Sequence, residues 1–180
     1  RLPRGERLKH SEGVSTTAFD LDQNGSMDLI TSDIGTYQVK VLLNADSLPG
    51  AKTNSEIFQV LDSFPNYDTP INMLYCTAYF MDVNNDGLTD FFLGGAAGQP
   101  GELYFQTNKG SFKKDENPIW NTDRRFEDLG VLFFDYDADG DHDLYIASGS
   151  AAFDENNAKY QDRLYKNDGK GNFSNSNSLP

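Results

Sequence analysis

One acidic motif occurs three times in the chain, and this repetition constrains the fold more than any other feature. The copies read AFDLDQNGSMDLI at residues 18–30, YFMDVNNDGLTDFFL at residues 79–93 and FFDYDADGDHDLYI at residues 133–146. Successive first aspartates are 62 and 53 residues apart, at Asp20, Asp82 and Asp135. The chain is therefore a series of related units.

A second motif recurs downstream of the first. LYFQTNKGSF at residues 103–112 aligns without gaps with LYKNDGKGNF at residues 164–173, and VLLN at residues 41–44 is the counterpart in the first unit. Differences in length fall in connecting segments, where insertions are tolerated. We expect residues 1–180 to be a single repeat domain, with units at approximately 3–65, 65–118 and 118–180.

Short apolar runs flank the acidic motifs, as STTAFDLD, MDLITS, VKVLLN and EIFQVLD do in the first unit. They are rich in β-branched and aromatic residues and are bounded by turn-forming residues, which is typical of strands. Four strands in each unit predict an all-β chain of three propeller blades, as a partial propeller or an excerpt of a larger one. A β-sandwich of short strands is the alternative, but a sandwich needs no repeat.

The acidic motif follows the pattern D-x-[DN]-x-[DN]-G-x-x-D, which suits a hard cation. Side-chain oxygens stand at positions 1, 3, 5 and 9, and the glycine at position 6 lets the carbonyl of position 7 face the ion. We name these segments loop 1 (residues 20–28), loop 2 (82–90) and loop 3 (135–143). The predicted ligands are Asp20, Asp22, Asn24, Ser26 and Asp28 in loop 1, Asp82, Asn84, Asp86, Leu88 and Asp90 in loop 2, and Asp135, Asp137, Asp139, Asp141 and Asp143 in loop 3. Three Ca²⁺ ions are expected, with another divalent ion or no metal as alternatives.

Other chemistries fit the pattern less well. An EF-hand needs a bidentate glutamate at position 12 and flanking helices, whereas this position holds Thr31, Leu93 and Ile146 within predicted strands. A glycosidase uses a single pair of carboxylates, so three copies of an acidic loop argue against one. Transition metals favour histidine and cysteine. The single cysteine, Cys76, excludes an internal disulfide and is expected to be a small core residue.

The formal net charge of −13 makes nucleic acid a poor partner, because phosphate binding needs a basic surface. No apolar run approaches the ~20 residues of a membrane span, so no membrane insertion is expected. The first ten residues, RLPRGERLKH, contain no apolar segment of a signal peptide.

The motifs resemble the FG-GAP/VCBS repeat family, which includes the repeats of integrin α-subunit propellers and of many bacterial surface proteins. The resemblance rests on the acidic loop, on FFLGGAAG at residues 91–98 and on the LYxNxGxGxF pattern at residues 164–173. The third unit is also similar to bacterial repeat proteins that carry an ASPIC/UnbV domain, although that domain is missing here. The first and third units lack the Gly-Gly-Ala signature.

The resemblance implies a Ca²⁺-stabilised propeller that acts in adhesion or ligand binding outside the cytoplasm, without catalysis. We therefore expect a non-enzymatic module of an extracellular, cell-surface or periplasmic protein whose partner is a protein or glycan. The alternative is the propeller domain of a secreted carbohydrate-active enzyme, such as a polysaccharide lyase. A purely structural spacer is a third option.

In this family the ligand docks on the face opposite the calcium hairpins. That face is expected to be formed by residues 34–37, 96–101 and 150–161 together with residues 66–72 and 118–125. Exposed aromatic and arginine side chains dominate binding surfaces, so the candidates are Trp120, Arg124, Arg125 and Tyr160. A core role for the aromatics and a solvated role for the arginines is the alternative. Three blades leave open edges, so self-association or a longer parent chain is also expected.

Overall fold

In the computed structural model, the described residues are 13–33, 38–42, 58–63, 78–149 and 157–176. They form three four-stranded sheets. The first sheet contains β1 (Gly13–Phe19), β2 (Asp28–Asp33), β3 (Gln38–Leu42) and β4 (Phe58–Ser63). The second contains β5 (Ala78–Met81), β6 (Asp90–Leu93), β7 (Glu102–Asn108) and β8 (Ser111–Lys114). The third contains β9 (Asp128–Phe134), β10 (Asp143–Ser148), β11 (Arg163–Lys166) and β12 (Ser174–Ser176).

Within each sheet, every strand pairs antiparallel with the next strand in the chain. The result is an open, four-stranded meander repeated three times. The predicted all-β class, with three blades of four antiparallel strands, is confirmed. The predicted strands of the first unit coincide with β1 to β4, because short β-branched runs bounded by turn residues fit a half-buried pleated surface.

The hydrophobic core lies between the sheets. One cluster joins Leu21 and Ile30 of the first unit to Ala78, Phe91, Leu93 and Tyr104 of the second. The other joins Val83, Phe92 and Leu103 of the second unit to Trp120, Leu144, Ile146, Tyr165 and Phe173. The middle sheet is therefore covered on both faces. This explains why β6 reads DFFL without polar alternation and is buried throughout.

A short helix, α1 (Pro118–Thr122), interrupts the segment that was expected to be a plain loop at residues 118–125. Proline suits the first turn because its missing N–H would have no partner inside the helix. The Asn117 side chain caps that turn by accepting a hydrogen bond from the Ile119 N–H at 3.1 Å. The helix turns Trp120 into the second core cluster.

The second and third units contact each other at Gly94 and Gly95, which we name the glycine step. The Gly95 N–H donates to the Asp128 carboxylate at 2.7 Å, and the Asp128 N–H donates to the Gly95 carbonyl at 2.9 Å. A Cβ on Gly95 would lie 2.5 Å from the carbonyl oxygen of Gln99, and a Cβ on Gly94 would lie 3.1 Å from the Cβ of Asp128. A side chain at Gly94 would press against Asp128 of the third unit, and one at Gly95 would overlap the backbone of residues 99–101 in its own unit, which is a physical reason for the two glycines.

Asp128 also forms a buried ion pair with Arg163. The guanidinium lies 4.6 Å from the centre of the Phe126 ring and donates to the Ser148 hydroxyl at 3.1 Å. Burial raises the pKa of Asp128, although Arg163 opposes this shift. This pair was not predicted, because its partners are distant in sequence and belong to no repeated motif.

Some predictions lie outside the described residues. They concern the segments 34–37, 66–72 and 150–156, Cys76, and the expected unit boundaries near residues 3, 65 and 180. No helix in the part of the chain described above is long and apolar enough to cross a membrane.

Candidate metal centres

Each acidic loop joins the first two strands of its sheet, and the three hairpins share one register. The residue before the loop pairs with the aspartate at position 9, as Phe19–Asp28, Met81–Asp90 and Phe134–Asp143 show. The residues at position 12 lie inside β2, β6 and β10, as predicted. The loops are therefore held between strands, unlike the loop of an EF-hand.

The backbone follows the same path in all three loops. Position 4 adopts a positive φ of 56° at Gln23, 59° at Asn85 and 62° at Ala138. The glycine at position 6 has φ of 88°, 85° and 95° in loops 1, 2 and 3. Only glycine adopts that conformation without strain, which accounts for its presence in every copy.

The carboxylate at position 1 is aimed into its own loop by two main-chain donors. In loop 1, Asp20 accepts hydrogen bonds from the N–H groups of Asn24 and Gly25, both at 2.9 Å. Asp82 accepts the equivalent bonds at 3.1 and 2.8 Å, and Asp135 accepts them at 3.2 Å each. The loop backbone thus orients this carboxylate before any ion is bound.

The carboxylate at position 9 is fully buried in each loop, at Asp28, Asp90 and Asp143. It accepts a hydrogen bond from the N–H of position 2 at 2.7 Å in loop 1, 3.1 Å in loop 2 and 2.9 Å in loop 3. In loops 2 and 3 its other oxygen accepts from a main-chain N–H of the second motif, at 2.8 Å from Gln106 and 2.9 Å from Asn167. Position 9 therefore anchors the loop to the sheet.

Side-chain oxygens converge in two of the loops. Carboxylate oxygens of Asp20, Asp22 and Asp28 lie within 4.8 Å of one another, and so do those of Asp135, Asp137 and Asp143. Loop 2 has an amide, Asn84, at position 3 and so lacks a third carboxylate there. The donor atoms in these loops are all oxygens, and most are anionic. Such a set fits Ca²⁺, which accepts six to eight oxygens in flexible geometry.

The residue at position 5 was predicted to be a ligand in each loop. Its side-chain oxygen accepts a hydrogen bond from the N–H of position 7, at 2.8 Å in loop 1, 2.8 Å in loop 2 and 3.0 Å in loop 3. Asp139 is not part of the converging group of loop 3. Position 5 closes the turn that presents position 7, namely Ser26, Leu88 and Asp141, and its role as a ligand stays a prediction.

The family comparison agrees with this geometry. The family model for FG-GAP-like repeats matches residues 82–146. The chain carries an FG-GAP-like repeat. The match begins at the first aspartate of loop 2, includes the Gly94–Gly95 step and contains all of loop 3, so the resemblance stated above is confirmed. No curated protein and no solved structure matches the chain significantly.

Consecutive loops of the repeat units contact one another, which places them on one face. The Gln23 side chain of loop 1 donates to the Gly87 carbonyl of loop 2 at 3.2 Å. The Asn85 side chain of loop 2 donates to the Gly169 carbonyl of the third unit at 3.3 Å and reaches Asp141 of loop 3 at 3.5 Å.

In the second and third units, one amide side chain connects the unit to the acidic loop of the unit before it. Gln106 donates to the Leu21 carbonyl at 2.8 Å, and Asn167 donates to the Val83 carbonyl at 2.7 Å. Both amides occupy the fourth position of the second motif, and both carbonyls occupy position 2 of an acidic loop. Sequence reasoning missed this role. The shared position was visible in the aligned motifs, but glutamine and asparagine there suggested no partner.

The electrostatics differ between loops. Burial raises the pKa of Asp90 in loop 2 to about 7, despite hydrogen bonds from Gln106 and Val83. In loop 3, the hydrogen bond from Lys166 lowers the pKa of Asp137. The Asp141 N–H lowers the pKa of Asp139, but desolvation and the neighbouring carboxylates of Asp137 and Asp141 outweigh it and raise the pKa.

The four candidate ligand-binding residues have different surroundings. Trp120 is only 5% exposed, and its indole N–H donates to Asp115 at 2.8 Å, so it is a core residue and not an exposed aromatic. Arg124 and Arg125 are exposed, and Tyr160 is half-buried at the end of a 3-10 turn. The Arg124 carbonyl accepts from the Gly98 N–H at 2.7 Å, which places it beside the glycine-rich segment.

Proposed function

We propose that the chain is a calcium-binding FG-GAP-type propeller segment of a secreted or cell-surface protein, and that it acts as a non-catalytic binding module for a protein or glycan. The observation that carries the proposal is the threefold recurrence of one loop geometry. Each copy aims the carboxylate of position 1 inward and buries that of position 9. A solvated acidic turn would not need this arrangement in three copies.

The ligands would come from positions 1, 3, 5 and 9 of each loop, with the carbonyl of position 7. In loop 1 these are Asp20, Asp22, Asn24, Asp28 and Ser26, and the equivalent residues act in loops 2 and 3. The ion supplies the positive charge that offsets the repulsion between converging carboxylates. Three Ca²⁺ ions would change the formal net charge from −13 to −7. Because the unfolded chain does not assemble these oxygens, binding stabilises the folded state.

An extracellular or periplasmic location fits this proposal. Extracellular modules bind calcium with dissociation constants of ~10⁻⁴ to 10⁻³ M. Sites of that affinity fill where calcium is abundant and stay largely empty in cytosol.

The proposed ligand surface contains Arg124, Arg125 and Tyr160, and Arg124 lies beside the segment 96–101 because its carbonyl accepts from the Gly98 N–H. Arg125 lies 4.9 Å from the centre of the Phe126 ring, so its guanidinium is supported by the aromatic side chain and needs less ordering when it binds. A planar guanidinium can donate two parallel hydrogen bonds to a carboxylate, a group that both proteins and acidic glycans carry. Self-association through sheet edges remains part of the proposal.

Calcium titration calorimetry and thermal melting, in EDTA and in 5 to 10 times the measured Kd of calcium, test the metal proposal. We expect a higher Tm with calcium and smaller shifts in Asp20→Asn and Asp135→Asn, whereas Asp168→Asn, outside the loops, should match the parent. An unchanged Tm together with no heat of binding would refute it.

A glycan array and a polysaccharide depolymerisation assay, each with and without calcium, separate a binding module from an enzyme domain. Calcium-dependent binding without turnover, weakened by Arg124→Ala and Arg125→Ala, supports the module. Turnover that depends on one acidic residue outside the loops would instead favour the carbohydrate-active enzyme.

A further inference from the structure

Loop 3 differs from the other two loops in its balance of charge. Among positions 1, 3, 5 and 9, loops 1 and 2 each contain three aspartates and one asparagine, whereas loop 3 contains four aspartates. In loop 1 the Asn24 amide donates to Asp22 at 3.0 Å, and in loop 2 the Asn84 amide donates to Asp86 at 3.0 Å. Loop 3 cannot make this bond with two ionised aspartates at positions 3 and 5.

A lysine replaces the missing amide. The Lys166 ammonium lies 2.8 Å from Oδ2 of Asp137, the aspartate at position 3 of loop 3. It also lies 5.7 Å from the centre of the Tyr136 ring, next to the first ligand of the loop. At positions 1, 3, 5 and 9, four carboxylates and one ammonium give loop 3 the same formal charge, −3, as loops 1 and 2, and Asp141 at position 7 adds a fifth carboxylate to loop 3.

The backbone fixes this lysine at the loop. Lys166 is the last residue of β11, and the N–H of the next residue, Asn167, holds the buried Asp143 at 2.9 Å. The equivalent position in the second unit is Phe105, which packs against the second core cluster. In the first unit the aligned residue is Leu43. The cation therefore belongs to loop 3 and not to the shared scaffold of the units.

We propose that Lys166 is a tethered cation that competes with calcium at loop 3 and lowers the affinity of that site. This inference rests on the proposed calcium function. An incoming Ca²⁺ needs Asp137, so the ammonium either leaves that carboxylate or remains close to a divalent ion of like charge. Both outcomes weaken binding. The lysine and aspartate side chains are 40% and 30% exposed, so solvent screening limits the effect to roughly 2- to 5-fold in Kd.

Calcium titration followed by amide NMR of the full chain tests the inference at each loop separately. The N–H groups of Gly25, Gly87 and Gly140 each donate to the first aspartate of their own loop, so their resonances report on loops 1, 2 and 3. In Lys166→Met the Gly140 midpoint should fall roughly 2- to 5-fold, while the other two midpoints stay unchanged. Lys166→Arg keeps the charge and should keep the midpoint of the parent chain.

Two further variants distinguish the role of this lysine from a general effect of charge. Lys113→Met removes the same charge from β8 and should leave the Gly140 midpoint unchanged. In an Asp139→Asn background, loop 3 regains the acid–amide pair of loops 1 and 2, and Lys166→Met should have a smaller effect than in the parent.

A Gly140 resonance that responds to calcium but keeps its midpoint in Lys166→Met overturns the inference and leaves the calcium function standing. So does an equal shift at all three glycines, which would mean a general effect of charge. If no glycine responds to calcium in the parent chain, the calcium function and the inference both fail.

Discussion

The side-chain amide of Gln106 donates a hydrogen bond to the main-chain carbonyl of Leu21, which precedes it by 85 residues. The same amide donates to the Thr89 carbonyl at 2.8 Å, and its oxygen accepts from the Gly110 N–H at 2.8 Å. The main-chain N–H of Gln106 donates a hydrogen bond to the carboxylate of Asp90 in loop 2. One residue therefore connects loop 1, loop 2 and the β7–β8 turn. Asn167 makes the equivalent contacts between loops 2 and 3.

Gln106→Ala should destabilise the chain by roughly 2 to 4 kcal/mol, because it leaves buried carbonyls and an N–H without their partner. Urea unfolding measures this change. The neighbouring Thr107→Ala, at an exposed position, should cost less than ~0.5 kcal/mol. Equal losses in the two variants would mean that the contact between units contributes little.

The glycine step between the second and third units gives a second prediction. A Cβ on Gly95 would overlap backbone atoms of Gln99, Pro100 and Gly101 at 2.5 to 2.8 Å. Gly95→Ala should therefore cost ~2 kcal/mol or more, observed as a lower urea midpoint. The control is Gly130→Ala on β9, where the nearest atom to a new Cβ is 3.9 Å away. That variant should be neutral or slightly stabilising, and a neutral Gly95→Ala would contradict the prediction.

The loops and their flanking strands could be predicted from the sequence, because each depends on a few neighbouring residues within a repeated motif. The acidic loops, their flanking strands and the glycines at position 6 all follow from short-range turn chemistry. Contacts between units could not be predicted in the same way. Gln106 and Asn167 lie in an aligned motif, but their partners are main-chain carbonyls, which carry no sequence signal.

Burial of aromatic residues was harder to predict than loop geometry. Trp120 lies in a segment with proline, asparagine and arginine neighbours, which resembles an exposed connection. A single helical turn capped by Asn117 directs the indole ring inward instead. The turn is stabilised by tertiary packing, since an isolated helix of this length is not stable in water.

The ion pair between Asp128 and Arg163 gives a third prediction. Asp128→Ala leaves the buried Arg163 without its carboxylate and should cost ~3 to 5 kcal/mol. The double variant Asp128→Asn with Arg163→Met removes both charges, keeps an oxygen that can accept from the Gly95 N–H, and should recover most of that loss, because desolvation offsets much of the attraction in a buried pair. Chemical unfolding of both variants measures the two values. A double variant as unstable as the single one would show that the pair itself stabilises the junction.

Asp90 gives a prediction about pH in metal-free protein. Burial raises its pKa in the folded state to about 7, above the ordinary value of 3.8 that applies to the unfolded chain. Between these values the folded state binds more protons than the unfolded state, so the free energy of unfolding falls as pH rises. In EDTA, the contribution of Asp90 to stability should therefore be greatest near pH 4 and decline until pH passes 7.

Urea unfolding in EDTA from pH 5 to 8 measures this dependence. Asp90→Asn cannot ionise, so its free energy of unfolding should fall less steeply with pH than that of the parent chain. Asp168→Asn serves as the control, because the hydrogen bond from Asn172 lowers the pKa of this exposed aspartate, which is therefore ionised in both states throughout this pH range, so the variant should keep the slope of the parent. Equal slopes in the parent and in Asp90→Asn would mean that Asp90 stays ionised when it is buried. Calcium should also make the free energy of unfolding of the parent chain fall less steeply with pH, because an ion bound at loop 2 favours the ionised carboxylate of Asp90 at neutral pH.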